Sequence, residues 1–208
     1  MCCDPKKVGI VCEGDTEVIF IKYLSSRYFY PNFSIMLFPV NLGGKVSIER
    51  VVQEANRMKA YRVVSTFVDY YGFVKQHKRP VKDIEDEIAS KVHLEYFIPY
   101  LQMHETEALW FSDIDILAKT LNVTPKQKKK LQQAFEEANG EPEKINNTYE
   151  TAPSKRLEDI TDHTYKKTVN GQQLAEAIPL DTIKARCPRF KEWLDTIKTT
   201  VDKVYGNV

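Results

Sequence analysis

Three short runs rich in β-branched and aromatic residues, Val8 to Cys12, Phe33 to Val40 and Val63 to Val68, alternate with stretches of helical periodicity, and this alternation leaves few folds open. Strands that take turns with helices pack as a parallel sheet covered by helices, which is an α/β fold. Thr16 to Arg27 places Ile19, Phe20, Tyr23 and Leu24 at helical spacing, and Ser47 to Tyr61 sets Ile48, Val51, Val52 and Ala55 on one face. Val81 to Val92 reads as a further helix. Tyr96 to Met103 reads as a fourth strand, in which Pro99 favours an edge or a bulge because it has no N–H for the ladder. From residue 113 onward helices and loops follow without a fifth convincing strand. The predicted organisation is an α/β domain over 1–112 and a helical extension over 113–208.

The predicted strands deliver acids to one rim. In a parallel sheet all carboxyl ends lie on the same side, where ligands and catalytic groups gather. The first run ends at Glu13 ahead of Gly14, the third at Asp69, and the fourth at His104-Glu105-Thr106-Glu107. Asp15, Thr16 and Glu17 make an ordinary helix start, with a polar cap and acids favoured by the helix dipole, but capping does not account for Glu13. Converging carboxylates raise one another's pKa unless a cation neutralises them, and oxygen ligands suit Mg²⁺ or Mn²⁺. A helix beginning near His104 would put His104 and Glu107 on one face and turn Glu105 about 100° away. The plainer alternative is that Glu105 and Glu107 only favour a helix N-terminus while His104 satisfies a backbone group.

Composition narrows the partners. The 42% hydrophobic and 28% charged residues are those of a soluble globular chain, and 30 lysines and arginines against 29 acids leave no global basic field, so nucleic-acid binding has to be local. No run approaches the roughly 18 apolar residues of a membrane span. The cysteines at 2, 3, 12 and 187 form neither a disulfide framework nor a Cys-x-x-Cys zinc pattern. A cytoplasmic location and no membrane partner are expected.

Cations close to the acidic rim are Lys75, His77, Lys78 and Arg79, in the loop after Asp69, which could grip nucleic-acid phosphates or be a solvated loop. Lys155 and Arg156 follow Ser154, a helix-capping candidate, in a segment that resembles an anion-binding helix N-terminus. Asn41, Gly43, Gly44 and Lys45 make a weaker phosphate-loop candidate without Walker spacing. The lysines at 126, 128, 129 and 130 read as the wet face of a helix, and Phe190, Trp193, Leu194, Ile197 and Val201 as the packed stripe of a terminal helix. Cys187 before Pro188 is expected to pack as a small apolar group.

Glu13-Gly14-Asp15-Thr16-Glu17 with a later strand-terminal acid resembles the Toprim domain of topoisomerases, DnaG-type primases and overcoming-lysogenization-defect nucleases. Val68-Asp69-Tyr70-Tyr71-Gly72, His104-Glu105 with Glu107-Ala108-Leu109, Ala152-Pro153-Ser154-Lys155-Arg156-Leu157 and Cys187-Pro188-Arg189-Phe190 look like a bacterial Toprim-related family of unassigned function. The resemblance runs from about residue 7 to 195. It implies a mostly parallel four-stranded Toprim-like sheet flanked by helices, and metal-dependent phosphodiester chemistry. Glu13 and Asp69 map onto two Toprim acids. The second acid of the Toprim Asp-x-Asp pair falls on Tyr71, whose phenol stays protonated at neutral pH.

The expectation is therefore a Mg²⁺- or Mn²⁺-dependent nuclease with Glu13, Asp69, Glu105 and Glu107 as metal ligands and His104 beside them. Lys75, Lys78, Arg79, Lys155 and Arg156 would hold nucleic-acid phosphates. The resemblance also implies a neighbouring ATPase of the chromosome-segregation-like or ATP-binding-cassette type, in some cases in phage defence. The alternative is a non-catalytic nucleic-acid or nucleotide-binding subunit of an ATPase complex. Nucleotidyl or phosphoryl transfer on a small molecule is more remote.

Overall fold

The computed structural model describes residues 5–73, 79–145 and 151–206, and within it the chain forms two compact units. One comprises Met1–Leu101 with Trp193–Val208, and the other Gln102–Glu192.

The first unit is built on a parallel sheet. Its strands are β1 (Lys6–Cys12), β2 (Ile35–Asn41), β3 (Val63–Asp69) and β4 (Phe97–Ile98), in the order β2-β1-β3-β4, and a short β5 (Leu101–Gln102) also pairs with β3. The pairs β1–β2, β1–β3 and β3–β4 are all parallel. Every residue of β3 is buried, as expected of a central strand covered on both faces. The α/β class and the mostly parallel sheet flanked by helices agree with the sequence.

Two differences from the sequence expectation are local. The predicted helix over Thr16–Arg27 is α1 (Asp15–Leu24), continued by a π-helical turn over Ser25–Phe29 and α2 (Tyr30–Phe33). The predicted strand Tyr96–Met103 is split into β4 and β5 around Pro99-Tyr100. Proline cannot donate to the ladder, and the buried Thr66 side chain takes over: its hydroxyl accepts from Tyr100 N at 2.7 Å and donates to Tyr100 O at 2.8 Å. Leu101 N donates to the buried Glu85 at 2.9 Å. Backbone groups freed by the break are thus satisfied by side chains rather than left buried and unmade.

The sheet has helices on both faces. Val64 and Val68 pack in one core cluster with Val51 and Ala55 of α3 (Ile48–Arg57) and Ile84 and Ile88 of α4 (Val81–Lys91). Ser65 and Phe67 point to the opposite face, as the two-residue strand period requires. There Phe67 meets Phe20 of α1 and Trp193, which opens the part of α10 (Pro188–Tyr205) that belongs to this unit. Trp193 Nε1 donates to Ser65 Oγ at 2.8 Å and its ring stacks on Tyr100 at 4.9 Å. Phe190, Trp193, Leu194, Ile197 and Val201 are all buried, so the stripe expected of a packed terminal helix is present.

The second unit is helical. A 3₁₀ segment over Thr106–Ser112 is followed by α5 (Ile114–Thr120), α6 (Pro125–Glu137), α7 (Pro153–Ile160), α8 (Lys167–Ala177) and α9 (Leu180–Arg186). The lysines of α6 are exposed, as expected. Glu143 reaches from another 3₁₀ turn to cap α10, accepting from Arg189 N at 3.1 Å and Phe190 N at 3.0 Å. Cys187 is buried against Ser112, and burial pushes its thiol up to about 12, which removes it as a nucleophile. Among the described residues no helix is long and apolar enough to cross a membrane.

Candidate functional site

Strand order and helix placement define a switch point in the first unit. The chain leaves β1 through α1 on one face to reach β2, at one edge. It then passes through α3 on the other face to reach β3, on the far side of β1. Connections leaving β1 and β3 therefore diverge to opposite faces, and the carboxyl ends of these two strands border a topological switch point, where open α/β sheets bind ligands. Glu13 follows the last residue of β1 and Asp69 is the last of β3.

The register puts the two residues at neighbouring strand ends. Cys12 pairs with Phe67, so the chain at Glu13 lies across from Val68, one residue short of Asp69, with adjacent strands about 5 Å apart. Asp69 is buried, and Glu13 is half-buried. The Glu13 side chain lies against Gly72, in the 3₁₀ turn Tyr70–Gly72 that follows Asp69: a methyl group placed on Gly72 would collide with the Glu13 carboxylate and come within 3.1 Å of Val46. Glycine is needed here for close approach, not for an unusual φ. Tyr70 is anchored through its hydroxyl to Arg79 O at 2.9 Å, and its ring lies 5.7 Å from that of Tyr71.

The β2–α3 turn closes one side of this rim. Leu42 N donates to Cys12 O and Gly44 N to Glu13 O, each at 2.9 Å. Gly43 and Gly44 have φ of 72° and 77°, a conformation that favours glycine. Asn41 accepts from Gly43 N at 2.6 Å and donates to Asp15 at 2.7 Å, while the Arg50 guanidinium holds the carbonyls of Lys45 and Leu42.

In the second unit the segment at His104 differs from the expected helix start. His104 has a left-handed φ of 65° and the 3₁₀ segment begins only at Thr106, so His104 and Glu107 do not share a helical face. The acids there already have a cation. Lys167 Nζ lies 3.3 Å from Glu107 and 3.5 Å from Glu105, and Glu107 is only 1% exposed. The other Glu105 oxygen accepts from Ser154 N at 2.9 Å, in the first turn of α7. The helix N-terminus at Ser154, expected to attract an anion, thus holds the protein's own carboxylate. Its cap is Ala152 rather than Ser154. Tyr165 lies in the same neighbourhood, its hydroxyl pKa pushed well up by burial and then by the charge of Glu107.

Lys167 and Tyr165 escaped sequence reasoning because nothing in their local spacing marks them as partners of acids so distant in the chain. Lys167→Met would leave Glu107 buried without its counter-ion. Because Lys167 is itself 41% exposed, the expected loss is about 2 kcal/mol, near the lower end for breaking a hydrogen-bonded charge pair, and is read by chemical denaturation. An unchanged midpoint and slope would show that the pair contributes nothing.

Burial also holds the His104 imidazole below its usual 6.5, against the opposing pull of Glu105. A depressed folded-state pKa means that the unfolded chain takes up the proton first. The contribution of His104 is fully present above 6.5 and is lost as pH falls through the lower folded value. His104→Asn, which tolerates the left-handed backbone, is expected to flatten the fall in melting temperature as the pH drops below 6.5. A decline as steep as that of the native chain would assign the acid sensitivity elsewhere.

A family model described as a domain of unknown function (DUF4276) matches residues 12–198. The chain belongs to the DUF4276 family. No curated protein matches this DUF4276 chain. Among solved structures it is similar to the C-terminal region of the OLD protein of Xanthomonas campestris pv. campestris. One such structure has 14% identity, a TM-score of 0.53 and coverage of 98% of both chains. A second has 11% identity and a TM-score of 0.55, covering 97% of this chain and 98% of that one. At such identities the likeness is one of fold.

Not all the predicted phosphate-binding residues of this DUF4276 chain can be placed. Lys75, His77 and Lys78 lie outside the described residues. Arg79 is paired with Glu87 at 2.7 Å, Lys155 with Glu158 at 2.9 Å and Arg156 with Glu137 at 3.5 Å. Arg156 lines a cavity of about 300 Å³ between α6 and α7, with Lys130, Glu137 and Asp159, where both charge signs meet. Among the described residues no three histidine, cysteine, aspartate or glutamate side chains gather into a ready-made metal cage. Glu13 and Asp69 are of the ligand type that Mg²⁺ takes, since that ion is commonly held by one or two carboxylates with water and phosphate oxygens completing its shell.

Proposed function

We propose that this chain is a divalent-metal-dependent nuclease subunit that hydrolyses phosphodiester bonds of DNA or RNA. The observation that carries the reading is the pair Glu13 and Asp69 at the carboxyl ends of adjacent parallel strands, bordering the switch point of the sheet. The likeness of fold to the OLD protein's C-terminal region supports it, as does the resemblance of the Glu13 and Asp69 motifs to Toprim enzymes.

In this reading Glu13 and Asp69 hold Mg²⁺ or Mn²⁺, which when bound polarises the scissile phosphate. Water adds across one P–O ester bond, leaving a phosphate monoester on one product and a hydroxyl on the other. Gly72 keeps room for the Glu13 carboxylate, and the turns on either side limit how a backbone can enter. Glu105 and Glu107 join as further ligands or as a base only by giving up Lys167, with His104 next to them. Lys75, Lys78, Arg79, Lys155 and Arg156 supply phosphate contacts, those with acid partners by exchanging them. The proposal extends to a cytoplasmic complex with an ATPase of the chromosome-segregation-like or ATP-binding-cassette type, acting in phage defence.

The second reading, a subunit that binds nucleic acid or nucleotide without cutting it, is favoured by Tyr71 in place of an acid and by the existing partners of Glu105 and Glu107. One assay separates the two. Purified protein, alone and with the ATPase encoded beside it, is incubated with labelled DNA and RNA in Mg²⁺ or Mn²⁺, with Glu13→Ala and Asp69→Ala as controls. Metal-dependent cleavage that both substitutions abolish is expected. Cleavage persisting in both would remove the assigned site, and binding without cleavage in every mixture would select the second reading.

A further inference from the structure

The β2–α3 turn has features that the acid pair alone does not require. Gly44 N donates to Glu13 O at 2.9 Å, so the turn is fixed one peptide group from the proposed metal ligand. A methyl placed on Gly43 or Gly44 would meet nothing within 4 Å, so open space lies over both residues. Their positive φ values turn the chain tightly there. Arg50 spends its guanidinium on the carbonyls of Lys45 and Leu42, which stiffens the turn instead of leaving it a floppy connection. Val46, next in the chain, packs toward Gly72 and so ties the turn to the loop following Asp69.

Lys45 is exposed on this stiffened turn and forms no ion pair among the described residues. The Asp15 carboxylate beside the turn receives the Asn41 amide. The Gly43 and Gly44 N–H groups are taken by Asn41 and Glu13, so on this fixed turn, with open space above its glycines, the Lys45 ammonium is the donor that faces a single anionic group. Its place beside Glu13 suits one phosphate of a chain whose next phosphodiester lies at the acid pair.

We propose that the Gly43-Gly44-Lys45 turn is a phosphate-binding site for a nucleic-acid backbone, with Lys45 contacting a phosphate adjacent to the one held at Glu13 and Asp69, and Arg50 acting as a positioning residue. The proposal rests on the nuclease reading for its choice of ligand. Its test does not depend on cleavage.

Binding of a fluorescently labelled single-stranded oligonucleotide in Ca²⁺ is measured by anisotropy across a range of salt concentrations for the native chain, Lys45→Gln, Lys45→Arg and Lys59→Gln. Loss of one phosphate contact lowers the slope of log affinity against log salt by about 0.7 for a single strand. Lys45→Gln is expected to weaken binding several-fold and reduce the slope by that amount. Lys45→Arg is expected to retain both, and Lys59→Gln, an exposed lysine beyond the far end of α3, to match the native chain. Native slope and affinity in Lys45→Gln would overturn the proposal. So would equal losses in Lys45→Gln and Lys59→Gln, or a native chain that binds no oligonucleotide. A native chain that binds through Lys45 but cleaves nothing would preserve this site while removing the nuclease reading.

Discussion

Asp69→Asn is expected to lower metal-dependent cleavage by a factor on the order of 10² to 10³. A cation at a reacting phosphate contributes several kcal/mol of transition-state stabilisation, and each 1.4 kcal/mol or so is a factor of ten in rate. Replacing one of two carboxylates forfeits much of that by weakening the hold on the ion. Folding should suffer far less, since removing one of two neighbouring acids also removes their repulsion. Gly72→Ala provides an independent approach to the same site, because its methyl would occupy the space of the Glu13 carboxylate. It is expected to reproduce the loss of activity with both acids still in the sequence. Comparison of single-turnover rates and melting temperatures for the two variants checks this, and full activity in Gly72→Ala would show that the position of Glu13 is immaterial.

The largest expected loss of stability is at Trp193. Its side chain is 3% exposed, stacks on Tyr100, meets Phe67 in a tilted contact, and gives its N–H to Ser65. Trp193→Ala removes a large buried ring and leaves a cavity, at a cost of about 3–5 kcal/mol. The Ser65 hydroxyl keeps a partner in Ile98 O at 2.7 Å, so the penalty arises mainly from lost packing. Trp193→Phe should recover most of it while losing the hydrogen bond, worth about 1 kcal/mol. Denaturant midpoints for the two variants decide the matter, and equal midpoints would mean that the N–H rather than the ring dominates.

The parts of the fold legible in the sequence are those governed by local periodicity. β-branched runs at 8–12 and 63–68 became β1 and β3, and the parallel packing of such runs is what puts Glu13 and Asp69 on one rim. The rest depends on contacts that local pattern does not encode. Pro99 signalled an irregularity, but nothing near it announced that Thr66 would satisfy Tyr100. The acids at 105 and 107 looked ready for a metal ion, and only the fold brings Lys167 and the first turn of α7 to them. Sequence reading identifies the carboxylates, whereas their existing partners follow from tertiary structure. The return of α10 to the sheet unit was likewise visible only as an apolar stripe without a destination.

The metal site at the strand ends is tested most directly by electron paramagnetic resonance titration of Mn²⁺ into the native chain, Glu13→Ala and Asp69→Ala, each verified as folded. The account predicts a saturable bound ion in the native chain and its loss or marked weakening in both variants. Bound Mn²⁺ that is undiminished in both, or a folded native chain that binds none, would contradict it.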